Sequence, residues 1–439
     1  MTAPLTARIA EEFRAAASRL PAGVVPPQRR EELLAVLTRE GLPTSRDENW
    51  KYANLRALER MRFAPVAPRT EPSLLAADLP APIQGYARYT FVDGVFAPAL
   101  SCPLESSSGV TLSVASRSRE ASERLAAASA LPAPADARFA ALNEAFALDV
   151  ARIRARTGAQ CPACMELLFV STGDAESGAA YPRLELDVEP DARLGLIERH
   201  VSLGAESSFS APAVDIVLGR NAAVDHYRVQ EMGPKALWID TLTAGIAHGA
   251  AYRLYMVSLG AASARSTIQV RLTGELAEVG LHAVCVADRH QVHDTFALVE
   301  HAAPRAKTEQ TFRGIAGGRA RAAFNGKVIV REGAHGTDSR QSLRGLLAGP
   351  EAEIDVRPQL EIYTDDVRCS HGATAGKLDD DMLFYLLSRG LERDTAQRLL
   401  KWAFLEDVVA KIAVPELRRQ IERSLAGQMN ETTALKELL

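Results

Sequence analysis

The feature that most restricts how this chain can fold is a run of short alternating segments from about residue 166 to 370. "LLFVST", "RLELDVE", "AVDIVLG", "AVDHYRVQE", "AYRLYMVSL", "TIQVRL", "LHAVCVAD", "KVIVRE" and "AEIDVRPQLEIY" follow one another, split by Gly, Ala or Pro. Period two is the spacing of a strand with two distinct faces. No segment of helical length lies between these runs. A parallel sheet with helical crossovers is therefore excluded, because such crossovers need ten or more helical residues. A small or acidic residue followed by an apolar one recurs at Ala223, Ala251, Glu278, Ala323 and Glu353. Spacings of roughly 30 residues, with one longer step, suit the rungs of a β-solenoid, in which each rung buries its apolar face on the next. A sandwich or barrel fits the same periodicity.

Helical patterns flank this zone. "LTARIAEEFRAAASRL" and "RREELLAVLTREGL" have helical apolar spacing, and Gly41 is placed to stop the second. A Pro- and Ala-rich stretch, roughly 64–135, precedes the helical "DARFAALNEAFAL". After Leu378 the pattern is helical again. Asp379 can cap "DDMLFYLLSR" and Gly390 ends it. Asp394 with Gln397 forms a capping-box-like pair, and Pro415 sits as a first-turn proline. The middle helix of this group carries Leu399, Leu400, Trp402, Phe404 and Val408, more apolar surface than one flank of a hairpin needs. It either packs on its neighbours or docks a partner protein.

Composition narrows the classes. A net charge of -4 argues against a chain that lives on nucleic acid. No apolar run of 18 residues exists, so no membrane span is expected. The opening residues carry acids and no apolar leader core, and the five cysteines are too few and too odd in number for a disulfide framework. Both features point to a reducing cytoplasm.

Several constellations could carry chemistry. In "YTDDVRCSHGATAG", Tyr363 to Gly376, an extended backbone would place Asp365, Val367, Cys369 and His371 on one face. Cys369 and His371 would then lie about 7 Å apart at their roots. A thiolate and an imidazole at that separation can reach one iron or one cluster edge, which makes half a site. The same pair could serve as a cysteine nucleophile in a hydrolase or acyl transferase, or simply close a turn in a structural β-solenoid interaction protein. Cys161-Pro-Ala-Cys164 is a lone C-x-x-C whose role stays open. His290, His293 and His301 are close in sequence, but their spacing disfavours a shared metal, and Arg289 to Glu300 reads as a strand with its polar residues facing out. "GATAGKL", Gly372 to Leu378, has the wrong spacing for a phosphate loop, and no other nucleotide motif is present, so no ATP site is expected in this chain.

The stretch "YTDDVRCSHGATAGKLDDDMLFYLLSRGL" resembles the C-terminal motif of the SufB/SufD family of SUF iron–sulfur cluster assembly scaffolds, on its SufD side. "SRDENWKYANLRAL" (Ser45–Leu58), Asp288–Leu347 and Pro358–Thr374 agree with it. The resemblance implies a right-handed parallel β-helix core, 151–376, between an N-terminal mainly helical domain, 1–150, and a C-terminal helical domain, 377–439. It implies a non-catalytic scaffold paired with the paralogue SufB, or a homodimer when alone. A nascent Fe–S cluster would form at the pair's interface, fed by a cysteine desulfurase system and a reduced flavin (FADH2), with iron entry on this side. His371 would be an interface ligand and Cys369 a nearby thiol. The apolar helix with Leu399, Leu400, Trp402, Phe404 and Val408 would dock the ATPase SufC. The cysteine that SufB carries before its last strands has no counterpart in "LAGPEAEIDV", so the acceptor thiol would come from the partner.

Overall fold

The structure is a computed structural model and describes residues 5–53, 55–66, 74–103, 109–117, 135–172, 178–204 and 206–429. Asn54 of the Ser45–Leu58 stretch lies outside the described residues, as do 67–73, 104–108 and 118–134 of the Pro- and Ala-rich stretch. From residue 151 the chain winds as a parallel β-solenoid of about seven turns, with helices at both termini. Among the described residues its strands fall into a ten-stranded and an eleven-stranded sheet, and successive strands alternate between them, so that each rung adds to both. Among the described residues, three strands precede residue 150, at Ala87–Val92, Val95–Phe96 and Val110–Val114, and they join the starts of the two sheets.

The register explains the repeat in the sequence. Ala223, Ala251 and Glu278 begin successive strands of the ten-stranded sheet and stand directly beside one another, followed by Lys307, Asp338 and Arg368. Ala323 belongs to the other sheet, where its neighbour is Asp355. The longer step in the spacing is this change of sheet. At one of the two corners between the sheets, successive rungs turn on a residue in the left-handed region: Asp191, Asn221, Gly249, Leu276, Arg305 and Gly336, with φ of 62°, 55°, 65°, 60°, 56° and 70°. For a residue with a Cβ this conformation costs about 1–2 kcal/mol. Stacking offsets it. Each corner N–H donates to a carbonyl one rung on, as Asn221 does to His248 (2.9 Å) and Arg305 to His335 (2.7 Å).

Inward side chains such as Leu194, Val224, Tyr252 and Val279 from one sheet meet Leu242, Val270, Val299 and Val328 from the other, forming a continuous core. The outer faces are covered as well. Helices α1 (Leu5–Ala16), α2 (Pro27–Glu40) and α3 (Arg138–Phe146) join Trp50 and Phe63 in packing on Tyr181, Phe209, Leu237 and Ile239. Helices α4 (Asp380–Ser388), α5 (Arg393–Val409) and α6 (Pro415–Gln428) follow the last strand, and Leu405, Val409, Leu417, Ile421 and Leu425 pack on Ile197, Val229, Val257 and Val284. Among the described residues no helix is long and apolar enough to cross a membrane.

This double covering overturns two readings. His293, Asp294 and His301 do not face solvent; all three are buried in the strand Val292–His301. His293 and His301 line the interior, where His301 Nε2 meets Thr308 Oγ1 at 2.6 Å. Asp294 is paired to Arg265 beneath Trp50, because the N-terminal segment covers that face. The capping pair at Asp394 is also absent. The helix starts at Arg393 with Glu392 as its N-cap and no side-chain cap bond, so Asp394 falls in the first turn. The other caps form: Asp379 Oδ1 accepts from the N–H groups of Asp381 and Met382 (2.9 and 3.0 Å), and Gly41 (φ 74°) and Gly390 (φ 90°) follow the ends of α2 and α4.

Candidate functional site

Cys369 and His371 lie on Val367–Gly376, the last strand of the ten-stranded sheet. Glu353–Ile362 ends the other sheet on the same rung. Among the described residues each of these strands pairs on one side only, so the solenoid finishes on two open edges. Its final inward positions, Ile354, Val356 and Leu360, are half-buried, while Ile362 and Tyr363 are 39% and 57% exposed. Unprotected edges beside an apolar surface mark a place where another chain adds on.

In-register pairing puts Cys369 beside Ser339 and His371 beside Gln341; one rung earlier stand Thr308 and Gln310. Ser339, Gln341, Thr308 and Gln310 are buried and inward-facing, so alternation along the last strand places the thiol and the imidazole on the interior side of an unfinished rung. Cys369 is half-buried with Val367 against the core, and His371 is exposed. Asp365 does not share their face. The chain bends at Asp365–Asp366 before the strand begins, and Asp366 instead accepts the corner N–H of Gly336. The glycines of "GATAGKL" up to Gly376 are strand residues paired with Ser342–Leu346, which is not the backbone of a phosphate loop.

The floor under the pair is polar. Gln341 Nε2 donates to Gln310 Oε1 (3.0 Å) and to Gly326 O (2.8 Å). Gly326 leaves room for this pair: a Cβ there would stand 2.5 Å from Gln310 Oε1 and 2.9 Å from Gln341 Nε2, so the two amides would have to shift. Among the described residues, Gln341 Oε1, Gln310 Nε2 and Ser339 Oγ are buried without hydrogen-bond partners. Leaving buried polar atoms unpaired costs about 1–3 kcal/mol each, so this end of the core is prepared for a further polar group. Sequence reading missed these residues, although "QTFRG" and "QSLRG", at Gln310–Gly314 and Gln341–Gly345, repeat one rung apart.

Burial pushes the Cys369 thiol above its ordinary value, and the nearby Asp338 carboxylate adds to the shift. The isolated chain therefore holds a protonated thiol, a weak nucleophile and a weak ligand, until a metal ion displaces the proton. A nucleophile activated by its histidine would need the opposite shift. Among the described residues no group of three or more His, Cys, Asp or Glu could hold a metal ion.

The remaining singled-out residues lie elsewhere. Cys161 and Cys164 are buried seven strands away along the same sheet, about 34 Å at the usual strand spacing. On α5, Leu399, Leu400, Trp402 and Phe404 are half-buried, and Val408 is buried against the solenoid. The exposed apolar surface of the C-terminal helices is on α4 instead, at Met382, Phe384 and Tyr385.

Residues 169–404 match the family model described as SUF system FeS cluster assembly, SufBD core domain. Relatives extend over nearly the whole chain. The iron–sulfur cluster assembly protein SufD of Escherichia coli strain K12 is 32% identical over 90% of this chain and 91% of its own length. The SufBD family protein slr0076 of Synechocystis is 29% identical over 88% and 87%, and the chloroplastic protein ABCI7 of Arabidopsis thaliana 26% identical over 97% and 90%. With the solenoid and its Cys369–His371 end, these likenesses establish that the chain belongs to the SufBD family of SUF iron–sulfur cluster assembly proteins.

Proposed function

We propose that this chain is the SufD-type, non-catalytic half of a cytoplasmic two-solenoid scaffold whose open last rung seats a SufB-type paralogue. The nascent cluster is the cargo. Cys369 and His371 supply one side of its site, and the partner supplies the remaining ligands, including the acceptor thiol. The supporting observation is an unfinished rung: two free strand edges, half-buried inward apolar residues and a thiol–imidazole pair over two buried amides, each with one polar atom lacking a partner among the described residues.

The arrangement suits transient binding. Two ligands hold iron or sulfide weakly, and ligands divided between chains release the product when the interface opens. The C-terminal helices join the last strand directly and expose Met382, Phe384 and Tyr385, which fits a docking surface for a SufC-type ATPase that drives the opening. A desulfurase system and a reduced flavin (FADH2) would supply sulfur and electrons to the complex. Anaerobic reconstitution with iron and sulfide tests the division of the site. Cluster absorbance should appear with both solenoids present and stay at background with this chain alone; a full-yield cluster on this chain alone would refute a shared site.

A further inference from the structure

We infer that Cys161 and Cys164 form a redox-reversible dithiol, a disulfide site at the first full rung of the solenoid. Cys161 stands opposite Leu194 and Met165 opposite Leu196, so residues 162–164 face Gly195 alone. The surplus chain arches outward. Pro162 and Ala163 are exposed, while Cys161 and Cys164 are buried, 7% and 0% accessible. Gly195 admits the arch, because a Cβ there would lie 1.8 Å from the Pro162 carbonyl oxygen. The Tyr86 hydroxyl donates to that same oxygen (3.4 Å). The bulge turns both side chains back into the same core cluster, where Cys161 Sγ donates to the Ala163 carbonyl oxygen across the arch (3.9 Å). All five cysteines are free in the structure, and among the described residues the pair belongs to no cluster of three or more His, Cys, Asp or Glu that could hold a metal ion.

Closing the pair removes two electrons and two protons, and a low-molecular-weight disulfide such as oxidised glutathione accepts the electrons. The Cys161 thiolate, beside the exposed arch, attacks one glutathione sulfur, breaks its S–S bond and releases a glutathione thiolate. The Cys164 thiolate then attacks Cys161 Sγ, forms the protein disulfide and expels the second glutathione thiolate. Reduced glutathione reverses both steps. Burial pushes the Cys164 thiol well up, so the second step is the slow one and quickens as pH rises.

The test uses the full-length chain, equilibrated in its native state with oxidised or reduced glutathione, alkylated after denaturation and mapped by mass spectrometry. In reduced glutathione the peptide spanning Cys161–Cys164 should carry two alkyl groups. In oxidised glutathione it should carry none and weigh two hydrogens less than the unalkylated dithiol. Cys164→Ser should instead retain one glutathione on Cys161. Two alkyl groups at every poise, or a wild-type peptide that keeps glutathione on Cys161 with Cys164 alkylated, would overturn the inference.

Discussion

His371 is exposed on the last rung, whereas His293 and His301 are buried inside the same solenoid. Burial lowers His293 and His301 to about 4 from an ordinary 6.5. Between those values the unfolded chain binds protons that the folded chain refuses. Their contribution is therefore complete above pH 6.5 and is lost as pH falls toward 4, at up to ~1.4 kcal/mol per pH unit for each group. Urea midpoints should drop clearly from pH 7 to pH 5, and His301→Gln should flatten that slope. An unchanged midpoint over this range would contradict the buried placement. Cys369 has the opposite sign. Its raised pKa favours the folded chain at neutral pH, and a ligating metal must first displace the proton. Metal retention by the assembled complex should strengthen with rising pH, and Cys369→Ser should lose most of that dependence. Gly326→Ala should lower stability by about 1–3 kcal/mol, because it drives a methyl group into the Gln310–Gln341 amide pair; thermal melting reads the shift.

The C-terminal helices are held to the solenoid by an apolar seam and a few ionic clamps. Lys411 Nζ meets Glu309 at 2.9 Å, Arg313 pairs with Asp407, and Arg199 donates to Gln420 at 2.9 Å. Leu405 is fully buried in that seam. Leu405→Ala should cost about 2–5 kcal/mol, and hydrogen exchange should report it first as faster labelling of α5 and α6 with the solenoid strands unchanged. Uniform loosening of the whole chain would contradict a separable seam. Helix ends were legible in the sequence wherever one residue decides them, as Asp379, Gly41, Gly390 and Pro415 do. The start of α5 was not, because Asp394 satisfies a local capping pattern while the backbone enters the helix two residues earlier, at Glu392. Strands were harder. Arg193–Ser202 and Leu237–Ile246 escaped the period-two reading because Glu198, His200 and Asp240 point into the solenoid beside Arg228, which bonds Glu198 and Asp240 at 2.9 and 2.8 Å. A strand buried on both faces, with charges inside, shows no clean alternation.

For the molecule as a whole, the period and the lack of crossover helices left a solenoid and a sandwich or barrel both open, and the resemblance to the SufB/SufD family decided for the solenoid that the structure has. Its corners were not legible, since six equivalent left-handed positions are filled by Asp, Asn, Gly, Leu, Arg and Gly. Stacking hydrogen bonds, not residue type, define them. The thiol and imidazole of the site were visible in "RCSH", whereas the polar floor became visible only when pairing aligned Gln310, Gln341 and His371. An open end also predicts how the molecule assembles. Ile354→Lys with Leu360→Lys should abolish copurification with a SufB-type partner while leaving the melting temperature of the isolated chain within a few degrees, because those side chains close no further rung. The most direct measurement is cluster absorbance per assembled complex for His371→Ala, reconstituted anaerobically with its partners. Assembly should be intact by size-exclusion chromatography and cluster yield should fall about tenfold or more, the equivalent of at least ~1.4 kcal/mol in site occupancy; full yield from an intact complex would remove His371 from the site and with it the account of a divided assembly centre.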